Sequence, residues 1–305
     1  MSSNRQPLGP AEVPCVFLLP PRDYIPDQLD AVGEDRTDCQ APTSVAVEET
    51  EKPYLAVPGL YTPTDNDKER WRHWSVVILT PCGGYENSVK FTKSVANMVA
   101  YSWMNGLRVF QMGLTERMVV DWARNELARI AKDKINEYTG ERFTHLLWLD
   151  DDHVFEADLA CVLARHNLDM VSALYYARIG KILPVVYVKD ESGDGYKHFP
   201  IVEAPNCLFE CDAVGFGAML MRRDVLDRVP EPWFTIDYKA GEDIAFCVRA
   251  KQQGIKIHCD GQYKLGHVGV PKVIGHQDYL KYMQEHKDEF ADRVKIELIR
   301  GASNA

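Results

Sequence analysis

Residues 144–155 read THLLWLDDDHVF: the mostly apolar run His145–Leu149 leads directly into three aspartates, Asp150, Asp151 and Asp152. A short apolar run of this length reads as a buried strand. Three like charges at its mouth repel one another, and a cation or a set of donors must offset that repulsion. A hard divalent metal fits the need. In an extended segment, positions i and i+2 share a side, so Asp150 and Asp152 can converge on one ion while Asp151 faces away. The competing account is a solvated acidic turn that caps a helix beginning near Glu156. An EF-hand loop counted from Asp150 would need Gly and Glu where Phe155 and Cys161 stand, so that reading fails.

The flanking sequence places this strand in a sheet. WSVVILTP (74–81) is a β-branched run stopped by Pro81, and Phe91, Val95, Met98, Val99 and Ser102 then recur at helical spacing up to a stop at Gly106. LRVFQM (107–112) reads as a second strand, and Val120, Ala123, Leu127, Ile130 and Ile135 mark one face of a second helix before HLLWL. Such alternation predicts an α/β fold: a mixed, mostly parallel Rossmann-like sheet with helices on both faces. In such sheets ligands bind beyond the carboxyl ends of the strands, where the aspartates lie. Further on, DMVSALYYA, LPVVYV, CLFECDAVGFGAMLM and IKIHCD read as strands. EDIAFCVRAKQQG reads as a helix ending at Gly254, and 276–294 as a last helix.

The 305 residues carry a net charge of −10, and residues 1–70 hold 6 Lys/Arg against 13 Asp/Glu, which leaves only −3 for the rest. The acidity argues against the general basic footprint of a nucleic-acid binder. Residues 1–70 read as an irregular, Pro-rich acidic extension, available to an oligomer interface. Residues 71–275 read as the main α/β domain, the one that carries the aspartates, and 276–305 as a C-terminal helix packed on it. No window resembles a membrane span or a secretory signal, so the expected location is cytoplasmic, with no membrane partner. The cysteines are scattered, and the closest pair, Cys207 and Cys211, has no matching second pair for a zinc site. They read as reduced thiols.

Two downstream motifs bear on the aspartates. Glu242 and Asp243 open the helix of AGEDIAFCVRA, where acidic residues also suit the helix dipole. His267, in YKLGHVG, offers the nitrogen that would complete a carboxylate site for Mn²⁺ or Mg²⁺. Asp150, Asp152 and Val154 also resemble the first motif of haloacid-dehalogenase-type phosphatases, in which Asp150 would be a nucleophile.

An apolar strand ending in Asp-x-Asp, then Gly-rich VGFGAMLMRRDVL, then GED opening a helix, then a His after the next strand, resembles the GT-A fold of nucleotide-sugar-dependent glycosyltransferases from about Trp74 to Gly269. The resemblance implies transfer of a sugar from a UDP- or GDP-sugar donor to an acceptor hydroxyl, with Mn²⁺ or Mg²⁺ held by Asp150, Asp152 and His267. It places Asp150 near the donor ribose, with Asp151 able to replace either neighbour. Thr80 would lie where the base enters, and Arg124 of the ARN sequence would reach the donor phosphates. As in inverting members, Asp243, with Glu242 as second choice, would be the catalytic base, while retaining members do not use such residues in this way and the stereochemistry stays open. Gly215 and Gly217 would let backbone approach the sugar, and Trp233 would stack on a sugar face. Compact chains of this pattern also resemble transferases of bacteriophages, some of which modify bases in DNA; the acceptor stays open among DNA, polysaccharide and small molecules. The phosphatase comes second, because two strand–helix units precede the aspartates. A nucleotidyltransferase would need a basic loop after the first strand, whereas TPCGGYENS has no cation before Lys90.

Overall fold

The structure is a computed structural model that describes residues 59–84, 87–178, 180–189, 195–199, 206–236, 240–269 and 273–287. Most of the acidic extension, residues 1–58, and the end of the expected last helix lie outside the described residues. The first half alternates helix and strand: α1 (Asp65–Trp71), β1 (Val76–Thr80), α2 (Val89–Met104), β2 (Val109–Leu114), α3 (Val120–Asp133), β3 (His145–Leu149), β4 (His153–Val154) and α4 (Leu159–Arg165). The second half is richer in strands: β5 (Met170–Leu174), β6 (Val186–Lys189), β7 (Tyr196–His198), β8 (Leu208–Cys211), β9 (Ala213–Val214), β10 (Ala218–Arg222), α5 (Val225–Arg228), α6 (Glu242–Gln252), β11 (Ile257–Lys264), β12 (Gly266–Val268), β13 (Val273–Ile274) and α7 (His276–Glu285).

The central sheet has the order β2-β1-β3-β10-β5-β11-β8. Strands β2, β1, β3, β5 and β11 run one way, and β10 and β8 run against them, so the fold is a mixed α/β sheet with a mainly parallel direction. The two-residue period of a strand sends alternate side chains to opposite faces. Val76, Ile78, Leu147, Leu149, Val171 and Ala173 pack with residues of α2 and α4 on one face. Val77, Leu79, Leu146, Trp148, Met219 and Met221 pack with residues of α3, α6 and α7 on the other. Both faces are covered, which is why β1 and β3 read as unbroken apolar runs rather than alternating ones.

Glycines end two helices where the sequence places their stops. Gly106 (φ +88°) follows α2, with Leu107 N–H donating back to Ser102 O at 2.9 Å, and Gly254 (φ +74°) follows α6, with Ile255 N–H donating to Ala250 O at 3.1 Å. The single run expected over 207–221 resolves into β8, β9 and β10, which belong to two different sheets. Helix α1 carries a Thr64/Asp67 capping box and buries Trp71, and just before it Tyr61 N–H donates to Asp158 Oδ2 at 2.6 Å, tying this segment to the domain. Among the described residues no helix is long and apolar enough to cross a membrane.

Candidate metal centre and active-site cleft

A cleft of about 390 Å³ opens at the carboxyl end of β3. Its walls are Pro81–Gly83 after β1, Met118, Val120 and Arg124 around the start of α3, Asp150, Asp151 and Asp152, Arg178, Glu242 and Asp243 at the start of α6, and His267 of β12. Gly217 lies just before β10, whose Ala218 pairs with Leu149, and its carbonyl accepts from Asp150 N–H at 3.1 Å. Asp151 and Asp152 form a turn, and the chain then re-enters extended structure as β4. This turn replaces the extended geometry that the i, i+2 argument assumed.

The turn has a consequence for ligand geometry. Strand β4 pairs with β12 so that His153 stands opposite His267, and the two imidazoles stack with centroids 4.5 Å apart. Asp152 Oδ1 lies 3.1 Å from His153 Nδ1 and 3.4 Å from His267 Nε2. Among the described residues, Asp152, His153 and His267 each offer a ligand atom within 4.8 Å of the others. His267 Nδ1 lies 2.8 Å from the carbonyl of Tyr176, which can only accept, so Nδ1 carries the proton and Nε2 presents a lone pair to the carboxylate. His153 is fully buried, and neither of its ring nitrogens, nor Asp152 Oδ1, has a hydrogen-bond partner. Buried polar atoms left without partners are costly. A divalent cation bound by Asp152 Oδ1, one ring nitrogen of His153 and His267 Nε2 would satisfy two of these three atoms, and the residues fit such an ion.

Arg124 joins the other two acidic motifs. Its Nη2 donates to Asp150 Oδ1 at 2.9 Å and its Nε to Glu242 Oε1 at 3.0 Å. The side chain is 2% exposed, and the guanidinium lies 5.6–6.0 Å from the ring centroids of Trp148, Phe216 and Phe234. Burial works against its charge, but Asp150, Glu242 and Asp243 more than compensate, so it is a fixed cation. Beside it, burial and then the Glu242 carboxylate push Asp243 up to about 7. Burial, followed by Asp152 and Asp150, raises Asp151 to about 6, and burial with the nearby Asp151 carboxylate raises the Cys82 thiol to about 12.

The structure brings Asp150, Asp151, Asp152, Arg124, Glu242, Asp243 and His267 into one cleft. Thr80 is buried at the end of β1, its Oγ1 without a partner, just behind the wall formed by Pro81 and Cys82. Gly215 and Gly217 meet rings rather than open space. An added Cβ on Gly215 would collide with the Tyr175 hydroxyl, and one on Gly217 would lie 2.6 Å from His153 Cε1. Trp233 is placed in the core, 1% exposed, its indole N–H donating to Leu226 O and Val229 O. It is not among the residues that line the cleft.

Sequence reasoning missed His153, Arg178 and the aromatic cage. The signal for His153 was adjacent: a His directly after the aspartates becomes a neighbour of Asp152 as soon as the segment turns. Arg178 had no local signal, since it reaches the cleft from the segment after β5.

No protein-family model matches the chain, and no curated protein matches it. Among solved structures, the chain is similar to A197 from STIV at 20% identity and a TM-score of 0.42, covering 64% of this chain and 85% of that one. It is also similar to GalNAc-T7 with UDP, GalNAc and Mn²⁺, at 13% identity and a TM-score of 0.42, covering 72% of this chain and half of that one.

Proposed function

We propose that this protein is a metal-dependent glycosyltransferase that moves a sugar from a nucleotide-sugar donor to an acceptor hydroxyl. The observation that carries the reading is the Asp152–His153–His267 group, in which Asp152 Oδ1 and the buried His153 ring nitrogens lack partners, with Asp152 and His267 lining the same cleft as the raised carboxyl of Asp243. Asp152, His153 and His267 would hold the cation, and their nitrogen donors favour Mn²⁺ over Mg²⁺. When bound, the cation supplies the charge neutralisation that a departing nucleoside diphosphate needs.

The protein's own groups supply the rest. Asp243 stands where a general base titrating near neutrality works best. It takes the proton of the acceptor hydroxyl as that oxygen bonds to the anomeric carbon and the bond from that carbon to the diphosphate breaks. Arg124 bridges Glu242 and Asp150 and holds Asp150 at the cleft, where it would meet the donor ribose, and Asp151 would lie beside it. The base would enter near Thr80. Phosphatase chemistry would instead need Asp150 as a free nucleophile, whereas one of its oxygens is held by Arg124. The donor class is a UDP- or GDP-sugar. The acceptor class, DNA bases included, and a role for residues 1–70 in acceptor binding or oligomerisation belong to the same proposal.

A thermal-shift panel of UDP-, GDP-, CDP- and TDP-sugars and a phosphate monoester, each with and without Mn²⁺, tests the reading. A shift seen with one nucleotide sugar plus Mn²⁺ supports it and names the donor. A response to the monoester and Mn²⁺ alone would replace it with the phosphatase.

A further inference from the structure

The geometry points to Arg178 as the residue that receives the diphosphate of the incoming donor, resting on the Asp152 carboxylate until the donor arrives. The inference builds on the donor site proposed above.

Among the described residues, the cleft walls carry five carboxylates, Asp150, Asp151, Asp152, Glu242 and Asp243, against two guanidiniums, Arg124 and Arg178. A nucleoside diphosphate is itself anionic, so such a cleft must offer it a reachable cation. Arg124 is not that group, because it is buried and its Nε and Nη2 are engaged by Glu242 and Asp150. Arg178 has a side chain 37% exposed and comes from the segment between β5 and β6, just before Gly180 (φ +72°). Its Nη1 lies 2.8 Å from Asp152 Oδ2 and 2.8 Å from the carbonyl of Val268, the residue after His267.

The Asp152 carboxylate is therefore divided. Oδ1 faces the two imidazoles, and Oδ2 faces Arg178. The guanidinium sits one carboxylate away from the candidate ion, on the solvent side of the cleft. Carboxylate and phosphate oxygens are equivalent partners for its planar fork. An ion pair this exposed is weak, so exchanging Asp152 for a phosphate costs little.

A purely structural role for Arg178, bracing Asp152 as a ligand, predicts an effect of opposite sign. A brace, when removed, weakens the ion site itself. A phosphate receiver, when removed, takes a positive charge away from the ion site and leaves Mn²⁺ binding as tight or tighter.

The test is isothermal titration of the full chain, wild type, Arg178→Ala and Arg178→Lys, with Mn²⁺ alone and with a preformed Mn²⁺–pyrophosphate complex. The expected result for Arg178→Ala is undiminished affinity for Mn²⁺ and affinity for Mn²⁺–pyrophosphate lower by about 10- to 100-fold, the loss of a charge-assisted hydrogen bond. Arg178→Lys should fall between, because it keeps the charge and loses the fork. Unchanged Mn²⁺–pyrophosphate binding in Arg178→Ala overturns the assignment and leaves the donor site standing, and a parallel loss of Mn²⁺ alone overturns it in favour of the brace. A wild-type chain that binds Mn²⁺ but no pyrophosphate overturns the assignment and the donor site together.

Discussion

Replacing Arg124 with methionine keeps most of the volume in the aromatic cage and removes the charge shared by Asp150 and Glu242. Glu242, with a side chain 12% exposed, loses nearly all of its compensation, whereas Asp150, at 28%, keeps part of its hydration and loses less. Two charge-assisted hydrogen bonds at roughly 1.5–3 kcal/mol each set the scale. Discounting the more exposed pair gives a loss of about 3–5 kcal/mol, the range seen when one partner of a buried pair is deleted. That is a large part of a typical total of about 5–15 kcal/mol, and corresponds to a fall in Tm on the order of 10 °C. Equilibrium urea unfolding followed by tryptophan fluorescence reads it, since Trp148 lies beneath the guanidinium. The triple variant Arg124→Met, Asp150→Asn, Glu242→Gln should recover most of the loss, because it removes the stranded carboxylates as well. A loss under about 1 kcal/mol in the single variant, or a triple variant no more stable than the single one, would refute the reasoning that Arg124 is the clamp between the two acidic motifs.

Gly217→Ala places a methyl group against the buried rings of His153 and Tyr175 and should cost about 1–3 kcal/mol by overpacking, with weaker Mn²⁺ binding as His153 is displaced. A calorimetric scan and a Mn²⁺ titration both near wild type would show that the ring does not need that space. Asp243→Asn should leave donor binding near normal while turnover collapses, and surviving turnover removes Asp243 as the base. The same variant carries a pH signature. The folded Asp243 titrates near 7 against an ordinary 3.8, so the folded state binds the extra proton and this contribution to stability declines as pH rises from about 4 through 7. Asp243→Asn should flatten that decline in urea unfolding, and an unchanged slope would place the raised titration elsewhere.

How much of this was legible depended on the range of the interactions involved. Strand β3 occupies His145–Leu149, the quoted apolar run itself, because both of its faces are buried and its ends are set by Thr144 and a charge. Gly106 and Gly254 stop their helices through a backbone conformation that the sequence signals directly. Helix α3 shows where local reasoning fails. Val120, Ala123, Leu127, Ile130 and Ile135 were the expected face, yet the buried set is Ala123, Arg124, Leu127, Ala128 and Ala131, and Ile135 lies beyond the helix end and is exposed. A hydrophobic count passes over Arg124, whose burial is made tolerable by carboxylates 26 and 118 residues away along the chain. In the same way, the neighbourhood of Asp152 depends on the pairing of β4 with β12, and Arg178 arrives from the β5–β6 segment. The acidic motifs were readable as motifs. Their partners were not, because each is supplied by tertiary contacts.

The central claim is that Asp152, His153 and His267 hold a divalent cation at the floor of the cleft, and Mn²⁺ binding followed by electron paramagnetic resonance tests it most directly. The account predicts one bound Mn²⁺ per chain with hyperfine coupling to imidazole nitrogen, reduced in both His267→Ala and His153→Ala, with affinity lower in each by about 10- to 100-fold. Mn²⁺ that binds without nitrogen coupling, or binds equally well in both variants, would contradict it.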